Sequence, residues 1–139
     1  MVLLTEQSIP ARSEVRTTEI TLVESLSLCG IKSSEKDKIS YLGQSLKHFI
    51  RLKKLDLSYN KLRTLEGIEL AFNLRKLNLY LNSIQSWDEI NRLKFGNPQL
   101  EELDLRLNPL SEEPQYRFRV IRTVPSLKVL GTQEPIFFF

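Results

Sequence analysis

The chain has 139 residues, 41% hydrophobic and 27% charged, which is the composition of one ordinary globular domain long enough to bury a real core. Its net charge of +3 is too mild to require nucleic acid or an anionic membrane as a partner. A single cysteine, Cys29, excludes an internal disulfide framework and favours a reducing compartment, such as cytosol, nucleus or a cytoskeletal structure.

Residues 1–21 read as a lead-in or cap. They have no basic n-region and no sustained apolar run, so they are not a signal peptide. No window approaches the roughly 18 apolar residues that span a bilayer. Thr5, followed by Glu6 and Gln7, is placed to cap a short helix, which Pro10 is expected to end or kink. That helix covers the first repeat, or else the terminus is frayed.

The repeat region runs over residues 22–130. It opens on a degenerate unit in which Val23, Leu26 and Leu28 hold ladder positions and Ile31 stands where an asparagine is expected. The polar stretch 32–38 reads as an inserted loop. Ile39, Leu42, Leu46 and Phe49 follow at helical spacing and should face the core. The pattern L-x-x-L-x-L-x-x-N then appears in full at Leu52, Leu55, Leu57 and Asn60. It returns 22 residues later at Leu74, Leu77, Leu79 and Asn82, and after a further 26 at Leu100, Leu103, Leu105 and Asn108. Behind the ladders come Leu62, Leu65, Ile68 and Leu70, then Ile84, Trp87, Ile90 and Leu93. The third unit runs long, with 95–98 expected to bulge from the convex side. Residues 108–130 change pattern. Tyr116, Val120 and Ile121 share a helical face, Pro125 stops the helix, and Leu127 to Leu130 supply a last rung that closes the stack.

These units predict an α/β fold, a right-handed solenoid with a short parallel sheet on its concave face and a helical C-terminal cap. The leucines of each half-buried strand alternate with polar residues, and single rungs must bury one another to be stable. Asn60, Asn82 and Asn108 turn inward, where their amides can bond backbone groups left unpaired as the chain leaves the strand. The outward positions are Ser27 and Cys29, then Lys54, Asp56 and Ser58, then Lys76, Asn78 and Tyr80, then Glu102, Asp104 and Arg106. Of these, Ser27, Asp56, Ser58, Asn78, Tyr80, Asp104 and Arg106 are the candidate partner-binding residues. Tyr80 and Arg106 are of the types that dominate binding at protein interfaces, and core packing does not require them there. The plainer alternative is a solvated polar face.

No catalytic, cofactor or metal motif is present: no C-x-x-C, no H-E-x-x-H and no glycine-rich phosphate loop. Asp56 and Asp104 lie two rungs apart, about 10 Å at the usual strand spacing. That is the wide end of an inverting glycosidase pair, but nothing forms a sugar pocket. His48 reads as a surface or packing residue. Arg117, Arg119 and Arg122 cluster on the cap helix, as acidic-partner contacts or, more simply, a solvated surface. Aromatic interleaving suited to single-stranded nucleic acid is missing. The expectation is a non-enzymatic module without cofactor or metal, binding protein rather than membrane, nucleic acid or a small substrate.

The 22-residue rung and the closing pattern N-P-L…Y-R-x-x-V-I-x-x-V-P-x-L-x-x-L resemble the intracellular leucine-rich repeat family with a dedicated C-terminal cap. The stretches Val23 to Leu28, Lys38 to Gly43, Leu55 to Ser58, Leu65 to Ile68, Leu77 to Tyr80 and Asp104 to Pro109 are similar to vertebrate centrosomal and centriolar-satellite members. The resemblance implies recruitment of centrosomal or ciliary components for microtubule organisation, in the cytoplasm, at the cytoskeleton and centrosome. It assigns no binding residue. Other branches of the family imply a ribonucleoprotein subunit that binds an RNA-recognition protein, or a phosphatase-1 regulator with more repeats than this chain. Where the family cap commonly ends on an acidic residue, Gly131 follows Leu130. In that group the repeat domain precedes a long, partly coiled-coil tail, so residues 131–139 read as the apolar end of a truncated product, with Phe137 to Phe139 docking on the cap or left exposed.

Overall fold

Leu26, Leu55, Leu77, Leu103 and Leu130 stand side by side in register across a five-stranded parallel sheet, and all five are buried. The computed structural model describes residues 1–132, apart from the side chains of Thr17 and Thr18. The strands are β1 (Val2–Leu3), β2 (Ser25–Ser27), β3 (Ile39–Tyr41), β4 (Lys54–Asp56), β5 (Lys76–Asn78), β6 (Glu102–Asp104) and β7 (Val129–Leu130). The main sheet runs β2-β4-β5-β6-β7, so each repeat adds its strand next to the one before. Each strand is three residues or shorter, and in β2, β4, β5 and β6 the central leucine points into the core between exposed or half-buried neighbours. Burying one such leucine contributes roughly 1.5–3 kcal/mol. The stack is thus held by a leucine column rather than by any one long element.

The asparagines close the other side of each strand. Asn82 Oδ1 accepts the Leu62 amide at 3.0 Å, while its Nδ2 donates to the carbonyls of Leu57 (2.9 Å) and Leu79 (3.1 Å). Asn60 and Asn108 make the same set one rung to either side. Each side chain satisfies donors and acceptors of two consecutive repeats where no strand partner is available.

The convex side varies with repeat length. The 22-residue unit returns through a 3₁₀ turn, Ile68–Leu70. The longer unit has room for an α-helix, α2 (Trp87–Gly96), which follows the short α1 (Ile9–Arg12) in chain order. Ser86 caps α2 by accepting the Asp88 amide, and Asp88 and Glu89 place negative charge in its first turn. The cap helix α3 (Tyr116–Thr123) buries Val120 and Ile121 and ends before Val124 and Pro125. β7 then completes the sheet, and Arg117 donates to the Leu130 carbonyl at 3.0 Å on its outer side.

Several expectations are corrected. Pro10 does not end the first helix. It sits in the opening turn of α1, where its missing N–H costs nothing. Thr5 does cap, in a reciprocal box with Ser8. The lead-in is not frayed: β1 pairs with β3, Leu4 and Ile9 are buried, and Glu6 meets His48 Nδ1 at 2.6 Å. Ile31 does not occupy an asparagine site, because it is 59% exposed. Ile39, Leu42, Leu46 and Phe49 are buried as expected, yet on β3 and a run of turns rather than a helix. Residues 95–98 do not simply bulge. Phe95 is exposed, but Asn97 is fully buried and donates to the carbonyls of Ile68 and Ala71. The terminal phenylalanines lie outside the described residues.

Candidate interaction face

The exposed side of the main sheet forms a groove of about 450 Å³, floored by Ser25, Ser27, Lys54, Asp56, Lys76, Asn78, Glu102 and Asp104. Period-two alternation places these residues there, since each flanks a buried leucine. Register aligns Ser27, Asp56, Asn78 and Asp104 into one column. Lys54, Lys76 and Glu102 form a second, in which Lys76 reaches Glu102 at 2.7 Å.

The acid and amide column has a local task that sequence reasoning missed. Asp56 Oδ1 accepts the Ser58 amide at 2.9 Å, Asn78 Oδ1 accepts the Tyr80 amide at 2.9 Å, and Asp104 Oδ1 accepts the Arg106 amide at 3.0 Å. Each is an Asx-type turn that holds the chain as it leaves the strand. The available signal was three Asp or Asn residues at one repeat position, a residue class that favours such turns.

Ser58 is a correction: it is 4% exposed and does not face solvent. Its hydroxyl donates to Asp56 Oδ1 at 2.6 Å and lies 3.3 Å from Cys29 Sγ. A small hydroxyl beside a carboxylate is drawn inward by that bond. Ser27 is exposed, and Asp56, Asn78, Tyr80 and Asp104 are half-buried.

Tyr80 and Arg106 do come together. The Arg106 guanidinium carbon lies 5.1 Å from the Tyr80 ring centroid, within cation–π range. Arg106 also forks onto Asp104, with Nε to Oδ1 at 3.0 Å and the terminal nitrogen to Oδ2 at 2.7 Å. The hydrogen bond that Arg106 donates to Asp104 raises the Arg106 pKa above its ordinary value, although burial opposes it. The Tyr59 ring completes the group, 5.5 Å from Tyr80 and tilted by 48°. Tyr59 was not anticipated as a site residue. It occupies the position just before the ladder asparagine, as do Leu81 and Leu107, and all three have left-handed backbone with φ of 61°, 56° and 58°. The array is a fixed aromatic and cationic edge to the groove, able to stack on a flat or apolar side chain and to bond an acceptor.

The cap arginines are partly engaged within the chain. Arg119 lies 4.0 Å from the Trp87 ring centroid and 3.6 Å from Glu113, which accepts the Trp87 indole N–H at 2.6 Å. Among the described residues, no cluster of acidic, histidine and cysteine side chains is suited to a metal, and no helix is long and apolar enough to cross a membrane.

A family model, Leucine Rich Repeat, matches residues 51–71. Centrosomal protein of 72 kDa from Mus musculus is 39% identical over 131 residues, covering 93% of this chain and 20% of the relative. The chain belongs to the leucine-rich repeat family. Leucine-rich repeat-containing protein 36 from Homo sapiens is 40% identical over 128 residues, covering 91% of this chain and 16% of that protein. This leucine-rich repeat chain therefore spans a fifth or less of these relatives. Among solved structures, a chain of the Drosophila melanogaster SNF/U2A' complex superposes with a TM-score of 0.63 at 24% identity, over 96% of this chain and 86% of that one. The Mex67 LRR domain from Chaetomium thermophilum gives 0.67 at 20%, over 96% and 95%. At those identities the two structures speak to the fold alone.

Proposed function

We propose that this chain is the non-enzymatic repeat module of a centrosomal scaffold and holds a protein partner against its exposed sheet. The observation that carries the reading is the preset array of Tyr59, Tyr80 and Arg106 at the groove's edge. Aromatic and arginine side chains held rigidly lose little entropy on binding. Two relatives bearing the name centrosomal protein of 72 kDa, from mouse and from Danio rerio at 44% identity, support the setting. On this reading the module brings centrosomal, centriolar-satellite or ciliary components to sites of microtubule organisation, in the cytoplasm and cytoskeleton.

The groove residues proposed to touch the partner are Ser27, Asp56, Asn78, Tyr80, Asp104 and Arg106, now with Tyr59 added and Ser58 acting through Asp56. Proximity labelling from this chain in dividing cells should mark centrosomal neighbours; spliceosomal neighbours would defeat the setting. Replacing Tyr80 and Arg106 together with alanine should abolish capture of those neighbours while leaving the circular dichroism spectrum and melting temperature nearly unchanged. Undiminished capture would show that another face binds.

A further inference from the structure

The edge of the sheet where the strands begin, opposite the Tyr80 end, carries a second arrangement. Ile50 and Phe72 occupy equivalent positions just before β4 and β5, and they are 43% and 50% exposed. Their turns are tied together, because Asn73 Nδ2 donates to the Ile50 carbonyl at 2.8 Å. Neither residue is needed by the core there, since the next ladder leucines, Leu52 and Leu74, already fill it at 0% exposure.

The charges beside them are unevenly matched. Glu24 is held by Lys53 at 2.9 Å, Glu102 by Lys76 at 2.7 Å and Glu101 by Lys128 at 3.3 Å, so the carboxylates of this edge are engaged. Lys54 and Arg75 are exposed and, among the described residues, have no carboxylate within ion-pair distance. They belong to neighbouring repeats: Lys54 opens β4, and Arg75 stands just before β5, where the Arg75 and Lys76 amides both donate to the Lys53 carbonyl, at 2.8 and 2.9 Å. Lys54 and Arg75 thus lie on the same two repeats as the exposed Ile50 and Phe72, on backbone fixed by the ladder.

We propose that this strand-start edge is a docking surface for an acidic peptide segment that also carries apolar side chains. Its carboxylates would meet Lys54 and Arg75, and its apolar groups would cover Ile50 and Phe72. A nucleic-acid backbone fits poorly, because Glu24, Glu101 and Glu102 interrupt the positive charge that a run of phosphates would follow. Lys54 also lines the floor of the groove, whereas Tyr80 and Arg106 stand at the other end of the strands and take no part in this edge.

The test is fluorescence anisotropy of the full chain with a labelled peptide of about twelve residues bearing glutamates and two phenylalanines. A counterpart with glutamines in place of the glutamates and a single-stranded RNA oligonucleotide are the comparisons. The acidic peptide should bind, with affinity that falls as salt rises. Lys54→Glu combined with Arg75→Glu should weaken it about tenfold or more. Phe72→Ser should weaken it less, and Tyr80→Ala with Arg106→Ala should leave it unchanged. Lys54→Gln with Arg75→Gln, which adds no repulsion, should give an intermediate loss in a chain of unaltered circular dichroism. Equal binding of the glutamine peptide, indifference to both double variants, or preferential capture of the RNA would each overturn the proposal.

Discussion

Glu89 of α2 accepts the Leu65 amide proton at 2.7 Å, reaching from one repeat into the turn of the repeat before it. The same oxygen accepts the Thr64 hydroxyl at 3.0 Å, and Arg92 Nε lies 3.4 Å from it. Glu89 is a buried carboxylate doing for the convex side what the asparagines do for the strand side. Hydrogen bonds to a charged group contribute about 1.5–3 kcal/mol, and the Leu65 amide would be left buried without its acceptor. Glu89→Ala should therefore lower the unfolding free energy in urea by about 2–3 kcal/mol. Glu89→Gln, which keeps an acceptor, should lose less. Equal losses would mean that the bond to Leu65 is not what Glu89 contributes.

Lys38 ties the first repeat to the second, close to where the first lacks a ladder asparagine. Its ammonium donates to the Gly30 carbonyl at 2.7 Å and to the Tyr59 carbonyl at 3.0 Å, satisfying acceptors where the chain leaves its strands. Lys38→Met keeps the aliphatic stem and removes both bonds. It should cost about 1–3 kcal/mol in chemical denaturation, whereas Lys36→Met, on the exposed neighbouring turn, should be nearly neutral. A neutral Lys38→Met would show that water serves those carbonyls equally well.

The ladder was legible because a leucine or asparagine repeated at a fixed position reports the same environment each time. Leu55, Leu77 and Leu103 needed no coordinates to be placed in the core, and Asn60, Asn82 and Asn108 bond as their type and position required. Ile31 was misplaced because the template demanded an asparagine at that spacing, while Lys38, which bonds the Gly30 carbonyl close by, comes from a loop whose path no period encodes. Ile39 to Phe49 show the same limit from another side: spacing identified which residues are buried, but β3 exists because β1, far away in sequence, pairs with it. At the candidate site, exposure was inferred from alternation alone. Ser27 is exposed as alternation required, Tyr80 is half-buried, and Ser58 is buried because its direction is set by the neighbouring Asp56.

Tyr116 links the cap to the end of the groove, and burial raises its hydroxyl pKa well above the ordinary value, with the negative charge of Asp104 acting in the same direction. The unfolded chain ionises this tyrosine near pH 10, while the folded chain resists until higher pH. The unfolded state therefore loses the proton first, and stability falls as pH climbs above about 10. Phenylalanine has no proton to lose. The melting temperature of Tyr116→Phe should thus gain on that of the unaltered chain between about pH 8 and pH 11, whatever their difference at neutral pH. A constant gap across that range would mean that Tyr116 ionises alike in both states.

Gly67 and Gly131 both sit in left-handed backbone, with φ of 102° and 68°, but their surroundings differ. A methyl group on Gly67 would run into the Gly43 carbonyl oxygen, on a neighbouring turn that is itself left-handed, so neither backbone can yield cheaply. A methyl group on Gly131 meets only the Arg106 side chain, at 3.5 Å and beyond. Both alanine variants incur the left-handed conformational cost of about 1–2 kcal/mol. Gly67→Ala adds overpacking, which brings its loss to about 2–5 kcal/mol. The two should therefore separate clearly in thermal melts, with Gly67→Ala much the worse. Equal losses would place the whole effect in φ and none in the contact between turns.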